Sequence, residues 1–180
     1  KNYRWGNFKD LSVHFDETCT QNIVSYRSSA SRAAEALALS GQKSKAIEVL
    51  DLASREIPVE KYNDPRSLSS MVYGYIVSGQ EQKGLKLADE LKKGIFTEYD
   101  YYSSLSASEQ RFVGKQMRAK PMEYSLVVGA VSDAYNKIGQ KEKGYQYLLK
   151  SLENIDKRFN NFVKNLQTMG KEKAFNESEK

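Results

Sequence analysis

The chain has 180 residues, 39% hydrophobic and 28% charged, with a formal charge of +5, one cysteine and one histidine. That is enough chain for one domain or a small repeat array with its own core, and it excludes an internal disulfide and a histidine-rich metal centre. A mean hydropathy of -0.67 and no apolar run near the roughly 20 residues that cross a bilayer predict a chain that does not itself span a membrane. Its basic residues interleave with acids, as in Lys141-Glu142-Lys143. Such mixing marks solvated helix faces rather than a phosphate-tracking stripe, so no nucleic-acid partner is expected.

The chain begins at Lys1 without a basic-then-apolar leader, which suggests a processed chain or a piece of a longer one. Residues 1–20 read as an irregular arm whose Trp5, Phe8, Val13 and Phe15 pack against the first helices, with Asp16 or Thr20 as helix cap. Ile23, Tyr26, Ala30, Ala33, Ala34 and Leu37 then recur at helical spacing. Gly41 supplies a bend, and Ala46, Ile47, Leu50, Ala53 and Ile57 form a second apolar face that stops at Pro58. Small residues such as Ala33, Ala34 and Ala46 are expected where two antiparallel helices approach closely.

Asp64-Pro65 opens the next helix as cap and first helical residue, with Leu68, Met71, Val72 and Tyr75 facing inward. After Gly79, a helix carries Gly84, Leu85, Ala88, Leu91 and Ile95 and runs to about Leu105. One extra helix is expected from about Ser108 to Ala119. Pro121, like Pro58 and Pro65, is placed between helices. Val128, Val131, Ser132 and Tyr135 precede Gly139. Gly144, Leu148, Leu152 and Ile155 follow it, and that helix continues through Phe159, Phe162, Val163 and Leu166 to cap the stack. Residues 169–180 read as a frayed polar tail, in which the Asn176-Glu177-Ser178 sequon is taken as a chance match.

Three bends are alike: Ser40-Gly41-Gln42, Ser78-Gly79-Gln80 and Ile138-Gly139-Gln140, each followed five residues after its glycine by Ala46, Gly84 or Gly144. This repeat predicts an all-α helical-hairpin solenoid, an α-α superhelix, with hairpins at about 21–58, 65–96 and 122–166. An insert at about 97–121 accounts for the longer second spacing, and an irregular N-terminal arm precedes the first hairpin. The first hairpin resembles a tetratricopeptide repeat at Ala33, Ala34, Leu37, Gly41, Ala46, Leu50, Ala53 and Pro58, departing at Ala30. The second resembles it at Leu68, Tyr75, Gly79 and Ala88, and the third at Tyr135, Gly139 and Leu148.

A further resemblance spans nearly the whole chain. It is carried by Tyr3-Arg4-Trp5-Gly6-Asn7, Phe15-Asp16-Glu17, Arg27, residues 33–37, Gly41-Gln42-Lys43, residues 46–51 and Tyr101-Tyr102-Ser103-Ser104-Leu105. In these the chain looks like the C-terminal region of bacterial multi-pass membrane proteins with a large N-terminal domain of unknown function, similar to protein O-mannosyltransferases. The resemblance implies a periplasmic location, tethered to the inner membrane, with catalysis in a membrane part that this chain lacks. The chain departs from it at Thr18-Cys19.

No catalytic residue, cofactor or metal site is expected. A nucleophilic centre would have to draw on His14 and Cys19, for which packing of the arm is the plainer role. No phosphate-binding glycine loop occurs. In a solenoid register the concave groove presents Ser28, Ser31 and Glu35, then Arg66, Ser69 and Tyr73, then Asp133 and Asn136. This polar, mixed-sign set suits a polypeptide partner or a glycan, or is simply solvated. Tyr26, Tyr75 and Tyr135 are assigned to packing. Tyr99, Tyr101 and Tyr102 are expected to be buried rather than to face a partner.

Overall fold

Three glycine bends divide the chain into helical hairpins in the computed structural model, which describes residues 6–153 and 159. The helices are α1 (Glu17–Leu39), α2 (Lys43–Glu56), α3 (Pro65–Val77), α4 (Glu81–Ser104) and α5 (Ala107–Lys137). A sixth, α6, covers residues 141–153, and there is no strand among the described residues. The architecture is all-α and repeat-like.

Each bend closes in the same way. Gly41, Gly79 and Gly139 hold φ of 83°, 89° and 80°, values that side chains with a Cβ rarely tolerate. The amide of the next residue reaches back to the preceding helix: Gln42 to Leu37, Gln80 to Tyr75 and Gln140 to Tyr135, each at 2.8 Å. These are three copies of a Schellman C-cap. The helix starts also follow local chemistry. The Asp16 side chain accepts from the Cys19 amide at 2.8 Å. The Asp64 side chain accepts from Ser67 at 2.8 Å, with Pro65 as the first helical residue.

The small residue after each bend seats one hairpin arm on the other. A Cβ at Gly84 would stand 2.7 Å from Ile76 Cγ1 and 3.0 Å from the Val72 carbonyl. One at Gly144 would stand 2.9 Å from the Ser132 carbonyl. In the first hairpin Ala46 is fully buried, in one cluster with Ala34 and Ala38.

Helices α1, α3 and α5 lie side by side in one row; α2 packs on α1, and α4 packs on α3 and α5. The central helix α3 buries nine of its 13 residues, as an element covered on several sides must. Tyr75 and Tyr135 hold their rings in the core. Their hydroxyls donate to Asp51 at 2.9 Å and Glu81 at 2.8 Å, and Lys83 and Lys143 lie over the two rings. Each such sandwich ties one hairpin to its predecessor. The N-terminal arm docks through Phe8, which is buried with Ile23, Ile57 and Tyr62 and meets Phe15 edge-on at 4.9 Å.

Several expectations are corrected. The helix expected at Ser108 to Ala119 is not separate: α5 runs unbroken from Ala107 to Lys137, with Pro121 inside it rather than between helices. The third hairpin therefore begins well before residue 122. A capping box starts α5, the Ser106 amide donating to Glu109 at 2.9 Å while the Ser106 hydroxyl takes the Glu109 amide. Lys120 also anchors the helix next to the proline, through Glu98 on α4 at 2.5 Å and Glu123 at 2.8 Å. Helix α1 starts at Glu17, inside the segment assigned to the arm. Ala33 is exposed, because Ala34 and Ala38 form the close contact. Leu152 is 44% exposed rather than inward. Of the tyrosine cluster, Tyr99 is buried and Tyr101 is 61% exposed. Trp5, Ile155, Phe162, Val163, Leu166 and the 169–180 tail with its sequon lie outside the described residues.

Candidate functional groove

The row of α1, α3 and α5 leaves a concave groove on one side, with a volume of about 600 Å³. It takes Ser28, Ser31 and Glu35 from α1, Arg66, Ser69 and Tyr73 from α3, and Asp133 from α5. These are the groove candidates singled out from the sequence, with one exception. Asn136 is exposed and does not line the groove. Arg32, Ser70, Ser125, Leu126, Gly129 and Ala130 also line it; which residues of a helix turn inward depends on its rotation against its neighbours, which periodicity within one segment does not fix.

A hydrogen-bonded bridge crosses the groove. The Tyr73 hydroxyl donates to Glu35 Oε1 at 2.7 Å, and Lys137 Nζ lies 3.3 Å from the same oxygen. One carboxylate on α1 thus joins α3 and α5, and its charge is met by Lys137. Burial, and then the bond to Glu35, push the Tyr73 phenol well above its ordinary range, so Tyr73 stays a neutral donor. Two serines are committed to their own helices: Ser31 to the Arg27 carbonyl at 3.0 Å and Ser69 to the Pro65 carbonyl at 2.6 Å.

Other groups remain open. The side chains of Arg32, Arg66 and Asp133 make no hydrogen bond or ion pair with other described residues. Leu126, Gly129 and Ala130 give the α5 wall an apolar character, with Leu126 37% exposed. The groove therefore offers one guanidinium group from α1 and one from α3, an apolar strip on α5, and one carboxylate at its end.

The remaining candidates gather less. His14 is exposed and lines a separate depression with Phe15, Lys61 and Tyr62, which Cys19 does not line. The hydrogen bond to Asp16 raises the Cys19 thiol pKa, which works against a thiolate nucleophile. Among the described residues no three His, Cys, Asp or Glu side chains are grouped as a metal site requires. No described helix is long and apolar enough to cross a membrane.

Comparison with protein-family models, with curated proteins and with solved structures gives no match.

Proposed function

We propose that this chain is a tetratricopeptide-like interaction domain whose groove binds a segment of a polypeptide partner. The observation that carries the reading is the pair of unengaged guanidinium groups, Arg32 and Arg66, facing an apolar strip at Leu126 and Ala130 across one concavity. A segment with acidic side chains on one edge and an apolar side chain on the other matches that arrangement. Asp133 suits a donor at one end of the segment. The three equivalent glycine bends support the solenoid assignment, since such arrays use their concave face for binding.

The resemblance noted above extends the proposal: the domain is the soluble periplasmic appendage of a membrane glycosyltransferase-like protein, and its partner is a polypeptide substrate or its own membrane portion. A glycan ligand is the competing occupant. The Tyr73 hydroxyl is already bonded to Glu35, which leaves less of this tyrosine for a sugar and favours the peptide.

The test is a peptide-array screen of the chain, then calorimetry on the tightest peptides. Selected peptides should be enriched in Asp or Glu beside an apolar residue. Arg32→Ala with Arg66→Ala, and separately Arg66→Ala with Tyr73→Ala, should weaken them about tenfold or more, in line with losing one or two charge-assisted hydrogen bonds. Unchanged affinity in both variants eliminates the groove. A glycan array giving ligands that the same variants abolish replaces the peptide by a sugar.

A further inference from the structure

We infer that the hairpin formed by α4 and α5 carries a second interaction surface, separate from the groove, that lies against anionic phospholipid headgroups. Both α3 and α5 end at a glycine bend, yet α5 has 31 residues against 13 in α3. The first half of α5 therefore runs on past the start of α3, by roughly 27 Å at a rise of about 1.5 Å per residue. Helix α4 accompanies it, and Ser151 and Phe159 meet it at Tyr124. Phe96 stacks on Tyr124 at 5.0 Å, Glu98 pairs with Lys120, and Gln110 donates to the Leu105 carbonyl at 2.9 Å.

The outer face of this overhang has an unusual composition. Arg111, Lys115 and Arg118 follow one another at steps of four and three, so they share one helical face. All three are exposed, and none makes an ion pair or hydrogen bond with another described residue. Beside them Phe112 is 86% exposed and Met122 is 61% exposed. Elsewhere Phe8, Phe96 and Phe159 are packed against other rings, so a phenylalanine left in water is an exception. The nearby carboxylates are engaged: Glu109 in the cap of α5, Glu98 and Glu123 on Lys120. The stripe Arg111, Lys115, Arg118 itself carries no acidic residue.

Three cations and Met122 on one stripe of the helix, with Phe112 at its side, suit a bilayer interface, where the ring enters the headgroup layer and the cations meet phosphates. Each Lys or Arg near an anionic surface contributes about 1 kcal/mol.

The experiment is co-sedimentation of the full chain with vesicles of phosphatidylcholine, with and without one quarter phosphatidylglycerol, at low and physiological salt. Binding should require phosphatidylglycerol and weaken with salt. Arg111→Glu with Lys115→Glu and Arg118→Glu should lower it on the order of a hundredfold, and Phe112→Ser about tenfold. The groove variant Arg32→Ala with Arg66→Ala should bind vesicles as wild type does, which separates this surface from the groove. If circular dichroism shows that the charge-reversed variant has lost helix, glutamine at the same three positions takes its place. Equal binding to neutral vesicles, no binding to anionic ones, or retained binding after charge removal overturns the proposal. So does tighter binding to a single-stranded oligonucleotide than to the anionic vesicles.

Discussion

The guanidinium of Arg27 donates to the backbone carbonyl of Tyr62 at 2.6 Å, across 35 residues of chain. The same group reaches the carbonyls of Ile57 at 3.1 Å and Pro58 at 3.3 Å and the Ser67 hydroxyl at 3.4 Å, while Arg27 is only 1% exposed. A charged side chain on α1 thereby fastens the connector between α2 and α3, and it supplies donors to carbonyls that no helix satisfies.

Replacing Arg27 by Met keeps much of the volume and removes every donor. The stranded carbonyls should lower stability by about 3 kcal/mol, read from urea unfolding. Arg27→Lys should fall between the two, because an ammonium reaches fewer of these oxygens. Wild-type stability in the Met variant refutes the clamp.

Alkaline pH should destabilise the protein through its buried phenols. Burial, and then hydrogen bonds to Glu35 and Glu81, raise the pKa of Tyr73 and Tyr135 above the ordinary 10.0. A group raised on folding contributes stability that is complete below its unfolded pKa and is lost as pH climbs through the folded one. Arg27 acts in the opposite sense: burial lowers its pKa from 12.5 to about 10, so its burial penalty fades as pH rises over that window. The melting temperature should therefore fall above pH 10, and Tyr73→Phe with Tyr135→Phe should flatten the fall. An unchanged slope in that variant means other groups govern it.

Two helical glycines should respond in opposite directions to alanine. At Gly84 the new methyl meets Ile76 and the Val72 carbonyl. Overpacking of this kind costs about 1–3 kcal/mol and outweighs the helix-propensity gain of about 1 kcal/mol. At Gly114 nothing stands within 4 Å, so Gly114→Ala should stabilise by about 0.5–1 kcal/mol. Thermal melts of the two variants check both signs, and destabilisation at Gly114 contradicts the open space seen there.

Pro121 lies within α5, where it lacks the amide that would bond the Met117 carbonyl. Pro121→Ala should restore that bond and raise stability by about 2 kcal/mol, somewhat below the full propensity difference because Pro121 is half-buried and its packing is lost. A lower melting temperature than wild type shows that the packing of the ring outweighs the restored hydrogen bond.

The glycine bends, the Asp16 cap and the Asp64-Pro65 start were legible because each depends on a few neighbouring residues. Positive φ selects glycine, and a capping oxygen needs only the amides of the next turn. The start of α5 was legible too, in Ser106 and Glu109 three apart. Its continuation past Ala119 was not, because Pro121 reads locally as a boundary. The proline stands inside a helix because Lys120, Tyr124 and the residues after it face partners on α4 and α6, and those contacts compensate a missing hydrogen bond.

Sequence alone determined that this protein is helical, where its chain reverses, and that small side chains follow each reversal. All three rest on backbone dihedrals and on periodicity within one segment. Only the tertiary structure decided that Ala33 faces water while Ala34 is buried, that Glu35 joins Tyr73 to Lys137, and that Arg32, Arg66 and Leu126 meet around one groove. Those relations depend on the rotation of each helix against neighbours distant in sequence, and a turn of about 100° from one residue to the next is enough to exchange a buried side chain for an exposed one.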